Sequence, residues 1–207
     1  MDSIISNPLA EKGRTMSEQE EQVGTEGTEE LEETVELPAG INLIGLFGDV
    51  SEKKAEEAIY ALKTLEILET EEFEFYISTH GGNASDMFAI YDMMRLTRDK
   101  CNIATVGLGK VMSAGVLLLA AGTKGKRKVG KNCRIMIHSV IGGSAGPLHD
   151  LENEMREINK MQEMYIDALC DESDLTRGKI RDLFSKNVNI YLSAKEAVEY
   201  GIADLII

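Results

Sequence analysis

One serine in this sequence has the setting of a catalytic nucleophile. Ser113 lies between an apolar segment at 102–107 and a second at 116–121, which Gly122 ends. The pattern predicts that Ser113 stands where a buried strand turns into a buried helix. Backbone N–H groups at a helix N-terminus favour negative charge, so a serine oxygen held there could take part in nucleophilic chemistry.

A histidine and a pair of glycines could complete such a site. Of the three histidines, only His138 ends an apolar strand pattern next to a glycine-rich segment, and His80 and His149 are predicted to be non-catalytic. The pair Gly81-Gly82 follows another predicted strand, and glycines let the backbone approach an oxyanion closely. Serine, histidine and glycine-rich turns in this order indicate a serine hydrolase.

Each of these signals also has a structural explanation. A small residue such as Ser113 in a glycine-rich turn often serves only close packing, and a histidine at the end of a strand is often structural. A Gly-Gly pair is also an ordinary turn. The order of the three signals along the chain therefore carries more weight than any one of them.

The composition limits the class of protein. The 207 residues are 43% hydrophobic and 28% charged, as expected of a globular protein with a real core. A formal net charge of −14 argues against a nucleic-acid binder. No apolar run has the length of a membrane span, and no secretory signal is recognisable. Three cysteines without metal-ligand spacing predict reduced thiols and a cytoplasmic location.

The chain divides into two predicted parts. Residues 1–38 are acidic and low in complexity, which predicts a disordered segment that could also be a pro-segment, an interaction tail or a plug. Residues 39–207 alternate strand and helix patterns, which predicts an α/β domain of stacked β-α units with a mostly parallel sheet. The first predicted elements are a strand at 41–47, a helix capped by Ser51, a strand at 73–78, a helix through 87–94, a strand at 102–107, a helix at 113–121 and a strand at 134–140.

The remainder of the chain has a more helical pattern. An apolar stripe from Leu148 to Leu169 predicts a long helix packed on another helix, either of this chain or of another subunit. A helix at about 175–186 and a helix with a capping box at Ser193 follow, and 202–207 is predicted to be a strand. The basic run 124–131 could suggest phosphate binding, but no nucleotide motif accompanies it, so a solvated or subunit-contact loop is predicted.

Five segments in this order resemble the proteolytic subunits of the ATP-dependent Clp protease, the ClpP family. They are Ile77–Gly82, Ser113–Gly115, Ala121–Arg127, Arg134–His138 and Leu192–Gly201. The resemblance runs from about Phe47 to Ile206, roughly three-quarters of the chain. It implies a ClpP/crotonase-type fold with a protruding handle helix at about 142–170, and a serine endopeptidase activity.

By position, the resemblance implies that Ser113 is the nucleophile and His138 the general base. The N–H groups of Gly82 and Ala114 would form the oxyanion hole. The third triad residue would be Asn189, where the family has an aspartate. Asparagine can hold the His138 ring by accepting its Nδ1–H, but it cannot stabilise the imidazolium by charge. Reduced or conditional activity is therefore expected.

Two further sets of residues belong to this expectation. Gly142 and Gly143 match the segment beside the family's peptide-binding groove. Asp150 and Asp182 could supply the missing carboxylate, although nothing in the sequence places either of them beside His138.

The resemblance also implies partners. Heptameric rings, stacked as a double ring through the handle, would enclose polypeptide substrates. No cofactor or metal is expected, and ATP would be used only by a hexameric AAA+ unfoldase. The family's ATPase-contacting segment has no counterpart before Ile41, where the acidic segment stands instead.

Two other functions remain open at this stage. One is a weak or inactive ring subunit that assembles with or regulates an active paralogue, which Asn189 motivates. The other is a fold relative that acts on acyl-CoA thioesters, against which the pair of Ser113 and His138 argues.

Overall fold

A computed structural model describes residues 43–185 and 189–207 of the chain. The predicted disordered segment at 1–38 and the start of the predicted strand at 41–47 lie outside the described residues. In chain order the elements are β1 (Leu43–Phe47), α1 (Glu52–Ile67), β2 (Glu72–Thr79), α2 (Ala84–Arg98), β3 (Asn102–Met112), α3 (Ala114–Ala120), β4 (Lys128–Val129), β5 (Arg134–Ile137), α4 (Leu148–Glu172), α5 (Arg177–Ser185), β6 (Ile190–Leu192), α6 (Ala194–Glu199) and β7 (Leu205–Ile206).

The seven described strands form one mostly parallel sheet. Its order is β1-β2-β3-β4-β7, and β5 lies beside β3 with β6 on its other side. Only the pairing of β5 with β6 is antiparallel. Successive parallel strands need a crossover, and the helices between them supply it. The predicted α/β class with a mostly parallel sheet is confirmed.

Strand β3 extends further than its apolar pattern predicts, and this extension positions Ser113. The strand pairs with β4 at Val106 and Gly107, then with β5 from Lys110 to Met112. Its register against β2 shifts by two residues before Thr79, which marks a β-bulge. The bulge lets the end of β3 run beside β5, so that Ser113 follows directly on a paired strand.

The first three helices follow the predicted periodicity. The apolar stripe predicted for α2 is fully buried, and it comprises Met87, Ile90, Tyr91 and Met94. Helix α3 is buried on every side, as its unbroken apolar sequence requires. None of the helices in the described ranges combines the length and apolar character needed to cross a membrane.

Helix α4 is divided between core and solvent. Its C-terminal half contributes Tyr165, Ile166 and Leu169 to the core. Its N-terminal half is exposed, with Leu148 and Met155 more than half accessible. The predicted apolar stripe is therefore partly buried in the core and partly exposed.

The basic run at 124–131 is solvated only in part: Lys124 and Gly125 are exposed, but the run also contains a short strand and a buried arginine. Lys128 and Val129 form β4, and the Arg127 side chain is only 3% exposed. Arg127 Nε donates to Asp204 Oδ2 at 2.9 Å, and Nη1 donates to the Glu172 carbonyl oxygen at 2.7 Å. The run appeared solvated because these partners lie 77 and 45 residues away in sequence.

Arg127 belongs to a charged cluster, defined here as Arg98, Lys124, Arg127, Glu172 and Asp204, of which Arg127 and Glu172 are buried and Lys124 is exposed. Arg98 binds the Glu172 carboxylate through two hydrogen bonds of 2.7 and 3.0 Å. Lys124 donates to the Glu172 carbonyl oxygen. Because each charge faces opposite charges or carbonyl oxygens, Arg127 and Glu172 can be buried without leaving an unpaired ion.

The C-terminal strand is shorter than predicted. Only Leu205 and Ile206 pair with β4, whereas Ile202 and Ala203 are buried in the turn that follows α6. Their apolar character reflects core packing and not strand pairing. The predicted capping box of α6 is confirmed, since Glu196 N–H donates to Ser193 Oγ and Ser193 N–H donates to Glu196.

Candidate active site

The carboxyl ends of β2, β3 and β5 meet at one edge of the sheet. The loops that leave these strands begin with His80, Ser113 and His138, respectively. They border a cleft of about 420 Å³ that is also lined by Gly82, Ala114 and Gly142. Ligand sites in parallel α/β sheets usually form at such edges. The fold therefore brings together most of the residues that sequence considerations single out.

Ser113 has a strained backbone. Its φ of 53° and ψ of −121° lie in a region that residues with a side chain seldom adopt. Such strain costs roughly 1–3 kcal/mol and persists only where surrounding contacts impose it. Here Ser113 N–H donates to Met136 O at 2.8 Å, while Ser113 O accepts from Val116 N–H at 3.0 Å. These bonds fix the turn from β3 into α3 and hold the serine at the cleft.

Two positions after β2 require glycine, because neighbouring atoms approach the backbone closely there. Both have positive φ, 106° at Gly81 and 152° at Gly82. A Cβ at Gly81 would lie 2.5 Å from Ser113 Cβ, and a Cβ at Gly82 would lie 2.1 Å from Val50 O. No other residue fits either position without a backbone shift. Thr79 completes the loop, because its Oγ1 accepts from Gly81 N–H at 2.9 Å.

Two backbone donors remain available at the cleft. Among the described residues, neither Gly82 N–H nor Ala114 N–H donates to a protein acceptor. Gly82 is held by Val50, since Val50 N–H donates to Gly81 O and Asn83 N–H donates to Val50 O. Fixed, unoccupied N–H groups can stabilise a developing oxyanion without reorganising.

His138 has the tautomer that a general base needs. Its Nδ1 lies 2.5 Å from the Ser139 carbonyl oxygen. A carbonyl can only accept, so Nδ1 carries the hydrogen in this bond, and in the neutral ring Nε2 is then the nitrogen with the lone pair. In this structure no hydrogen bond joins Ser113 Oγ to His138, although both residues are described and line the same cleft. Catalytic hydrogen bonds are often long in a protein without substrate.

Asn189 directly precedes β6, the strand that pairs with β5. Strands β5 and β6 pair Ile137 with Ile190, so continuing the antiparallel ladder by one step would set His138 opposite Asn189. Residues directly opposite each other share a face of the sheet. Within the described ranges, however, Asn189 makes no hydrogen bond to His138 and is exposed, and the Nδ1–H of the ring is taken by Ser139. The ladder ends at Ile137 and Ile190, and Asn189 is not among the described residues that line the cleft.

The alternative carboxylates are not bonded to the ring. Asp150 lies in the first turn of α4, and Asp182 lies on α5. Neither is among the residues that line the cleft. His149 is 92% exposed, and it too lies outside the cleft.

The cleft continues along the segment after β5. Gly142 lines it and packs against Ile158 of α4, where a Cβ would come within 2.5 Å of the Ile158 side chain. Gly143 is exposed and is not part of the lining. His80, predicted to be non-catalytic, contributes to the lining, as does Glu154 of α4. The apolar part of the lining includes Met87, Phe88, Val140, Ile141, Ile158 and Met161.

Two polar side chains of α4 were missed by the sequence analysis as parts of the site. Tyr165 Oη donates to Ser113 O at 3.0 Å, and Gln162 Oε1 accepts from Val140 N–H at 2.6 Å. The available signal was a tyrosine within an apolar stripe, because a buried phenol must find a partner for its hydroxyl. Its partner, 52 residues earlier in the chain, could not be identified from the stripe.

The cleft is bordered by a serine, a histidine with a free Nε2 and two unoccupied backbone donors. Serine hydrolases use this arrangement.

The family model described as Clp protease matches residues 33–207 of the chain. The chain is also 35% identical over 164 residues to the ATP-dependent Clp protease proteolytic subunit 2 of Corynebacterium jeikeium (strain K411). That alignment covers 78% of this chain and 77% of the relative. The chain belongs to the Clp protease family.

Proposed function

We propose that this chain is the serine-type endopeptidase subunit of a self-compartmentalised, Clp-like protease that cleaves unfolded proteins and peptides. One observation carries the proposal. Ser113, His138 and the N–H groups of Gly82 and Ala114 converge on a single cleft at the carboxyl edge of the sheet. Family membership supports the same activity, since the Corynebacterium relative is described as a proteolytic subunit.

In the first half of the reaction, Ser113 Oγ attacks the carbonyl carbon of the scissile peptide bond. His138 Nε2 takes the hydroxyl proton as the new C–O bond forms. The carbonyl oxygen becomes an oxyanion, which accepts hydrogen bonds from Gly82 and Ala114. His138 then gives its proton to the departing amine, the C–N bond breaks, and an acyl-enzyme remains.

In the second half, water takes the place of the amine. His138 removes a proton from the water, which attacks the ester carbon through the same oxyanion site. Collapse of this intermediate returns the proton to Ser113 Oγ and releases the carboxylic acid. Asn189 would orient His138 by accepting its Nδ1–H, which requires the ring to exchange Ser139 O for the Asn189 side-chain oxygen.

The exposed half of α4 supports assembly with further copies of the chain. Leu148 and Met155, seven residues apart on one face of this helix, are each more than half exposed. Exposed apolar groups at helical spacing favour burial against a partner. The proposed assembly is a pair of heptameric rings with the cleft inside, where polypeptides pass along Gly142 and Gly143. An AAA+ unfoldase would use the ATP, the subunit would need no cofactor, and the complex would work in the cytoplasm.

A second function is favoured by one specific observation. His138 Nδ1–H donates to the carbonyl of Ser139, and Asn189 is exposed and outside the cleft lining. A ring held in this way lacks a carboxylate to stabilise the imidazolium. The alternative is therefore a weak or inactive ring subunit that assembles with an active paralogue.

The deciding experiment is covalent labelling. Purified wild type would be treated with a fluorophosphonate probe and, separately, assayed with a fluorogenic peptide. Ser113→Ala tests the nucleophile, and Ser85→Ala is the matched control, because Ser85 lines the same cleft. We expect labelling of wild type and Ser85→Ala but not of Ser113→Ala, with the probe mapped to Ser113 by mass spectrometry.

The oligomeric state is measured on the same samples. Native mass spectrometry should give a multiple of seven chains, and a stable monomer would contradict the proposed ring. An assembled ring that is neither labelled nor active would exclude the peptidase and favour the inactive subunit.

A further inference from the structure

Tyr165 of α4 contacts the peptide that carries one of the proposed oxyanion donors. Its Oη donates to Ser113 O at 3.0 Å. The same oxygen also accepts from Val116 N–H at 3.0 Å, so both of its lone pairs are occupied. The Ser113 carbonyl is thus held from two sides, by its own helix and by a side chain from another.

The geometry of a peptide unit gives this contact a consequence at the cleft. Ser113 C=O and Ala114 N–H belong to one planar trans peptide, in which they point in opposite directions. A bond that fixes the carbonyl oxygen therefore also fixes the direction of Ala114 N–H. The backbone conformation of Ser113 does not by itself hold this peptide in place, because a φ of 53° is unfavourable for a residue with a side chain. Hydrogen bonding at the oxygen also polarises the unit and makes its N–H a better donor.

Packing alone does not explain the hydroxyl. Tyr165 is 4% exposed, and its ring is stacked on Phe184 with centroids 6.4 Å apart and an angle of 9° between the planes. A phenylalanine would fill the same space. Burial raises the pKa of Tyr165, so the hydroxyl keeps its proton and remains a donor at neutral pH. The added oxygen has Ser113 O as its bonded partner.

We propose that Tyr165 is a positioning residue for the oxyanion hole, acting through the Ser113–Ala114 peptide. This inference rests on the proposed peptidase function. It assigns to α4 a direct effect on the rate of acyl transfer, because the Ala114 donor is most important when negative charge develops on the substrate oxygen. Binding of the uncharged substrate depends much less on the donor.

The test compares two variants that each lose one buried hydroxyl. Tyr165→Phe removes the bond to Ser113 O and keeps the ring. Tyr91→Phe is the matched control, because Tyr91 is also buried and its Oη donates to Glu172 at 3.1 Å, within the charged cluster. For each variant we would measure kcat and KM with a fluorogenic peptide, the rate of fluorophosphonate labelling, and the urea midpoint.

We expect kcat of Tyr165→Phe to fall about 10-fold with KM unchanged, less than the roughly 10²–10³-fold lost when an oxyanion donor is removed outright. The labelling rate should fall by a similar factor, since the phosphonyl oxygen occupies the same site. Tyr91→Phe should keep wild-type kcat while its urea midpoint falls by about as much as that of Tyr165→Phe.

Three results would overturn the inference. A labelled, active wild type with an unchanged kcat in Tyr165→Phe would refute the positioning role alone. Equal losses of kcat in Tyr165→Phe and Tyr91→Phe would show a general structural effect. A wild type that forms rings but is neither labelled nor active would refute the proposed function, and the inference with it.

Discussion

The two ends of helix α3 are built in opposite ways. At its C-terminal end, Arg127 Nη1 donates to Ala120 O at 3.2 Å and Arg98 Nη1 donates to Ala121 O at 2.9 Å. Cations at this end satisfy free carbonyls and complement the helix dipole. At the N-terminal end, Ser113 has strained dihedral angles and makes no side-chain cap.

The difference separates stability from chemistry within one helix. Polar groups of the charged cluster are bonded to one another, so removing any of them leaves a buried group unsatisfied. At the cleft, the N–H groups of Gly82 and Ala114 are held in place but left without acceptors among the described residues. The N-terminal end of α3 therefore has N–H groups that can bind a ligand, whereas the bonded groups at the C-terminal end stabilise the fold.

The largest effect is expected from Ser113→Ala. Removal of the proposed nucleophile should lower peptide turnover by on the order of 10⁶-fold, the size of loss seen when a triad serine is removed. The free energy of unfolding should change little, because Ser113 Oγ is not part of the bonds that hold the turn. Turnover and urea denaturation would be measured on the same preparation. If Ser113→Ala lost stability as well as activity, the result would contradict the conclusion that this end of α3 serves chemistry and not stability.

At the other end of α3, Glu172→Ala should lower the free energy of unfolding and leave peptide turnover nearly unchanged. It leaves Arg98 and Tyr91 without the carboxylate that both bind, which is only 3% exposed, and breaking such a buried pair costs about 3–5 kcal/mol of unfolding free energy. Turnover per folded molecule should stay near wild type. Glu57→Ala is the control, since it breaks an exposed pair with Lys54 and should cost at most about 0.5 kcal/mol. Equal losses in the two variants would contradict this account of the cluster.

A smaller effect with a pH signature is expected from Asp204→Asn. Burial opposes ionisation of Asp204, but hydrogen bonds from Arg127 and Gly125 outweigh it and hold its pKa below the usual 3.8. A lowered folded-state pKa stabilises the fold above pH 3.8, and this contribution is lost as the pH falls through the folded-state value. The variant should therefore be less stable than wild type at pH 7, by about 1–3 kcal/mol.

The check on Asp204 is a set of urea curves from pH 7 downward. The gap in unfolding free energy between wild type and Asp204→Asn should narrow below pH 3.8. A constant gap would mean that ionisation of Asp204 contributes nothing.

The smallest effect is expected from Asn189→Asp. A carboxylate at this position could take the Nδ1–H of His138 and stabilise the imidazolium, which should raise kcat about 10-fold. The unfolding free energy should hardly change, since residue 189 is exposed. The assay compares kcat of the variant and of wild type across pH, with Ser113→Ala/Asn189→Asp as the background. No rise in kcat would show that Ser139 O, or another group, already orients the ring adequately.

Local patterns predicted much of the fold. The buried stripe of α2 and the capping box of α6 were both correct, because each depends on residues three or four apart. The mostly parallel sheet followed from the alternation of strand and helix patterns. The final strand was overestimated, because buried residues of a turn and of a strand are equally apolar.

Contacts between distant residues could not be predicted in this way. The two-residue shift of β3 against β2, which carries the strand on to Met112, depends on a bulge without a clear sequence signal. Arg127 appeared solvated within a basic run, yet its partners Glu172 and Asp204 come from α4 and from the turn before β7. Asn189 was assigned by resemblance, but it stands before β6, outside the cleft lining, and does not bond to His138.

The sequence by itself determined the order of the elements and the three signals of the candidate site, because residue type and spacing specify local conformation and hydrophobic burial. Gly81 was recognisable as a glycine after a strand, but only the tertiary structure identified Ser113 Cβ as the atom that excludes any other residue there. In the same way, Tyr165 was predicted to be part of an apolar stripe, and its bond to Ser113 O depends on how α4 packs beside α3. Such contacts arise from the packing of distant segments, and no local pattern encodes them.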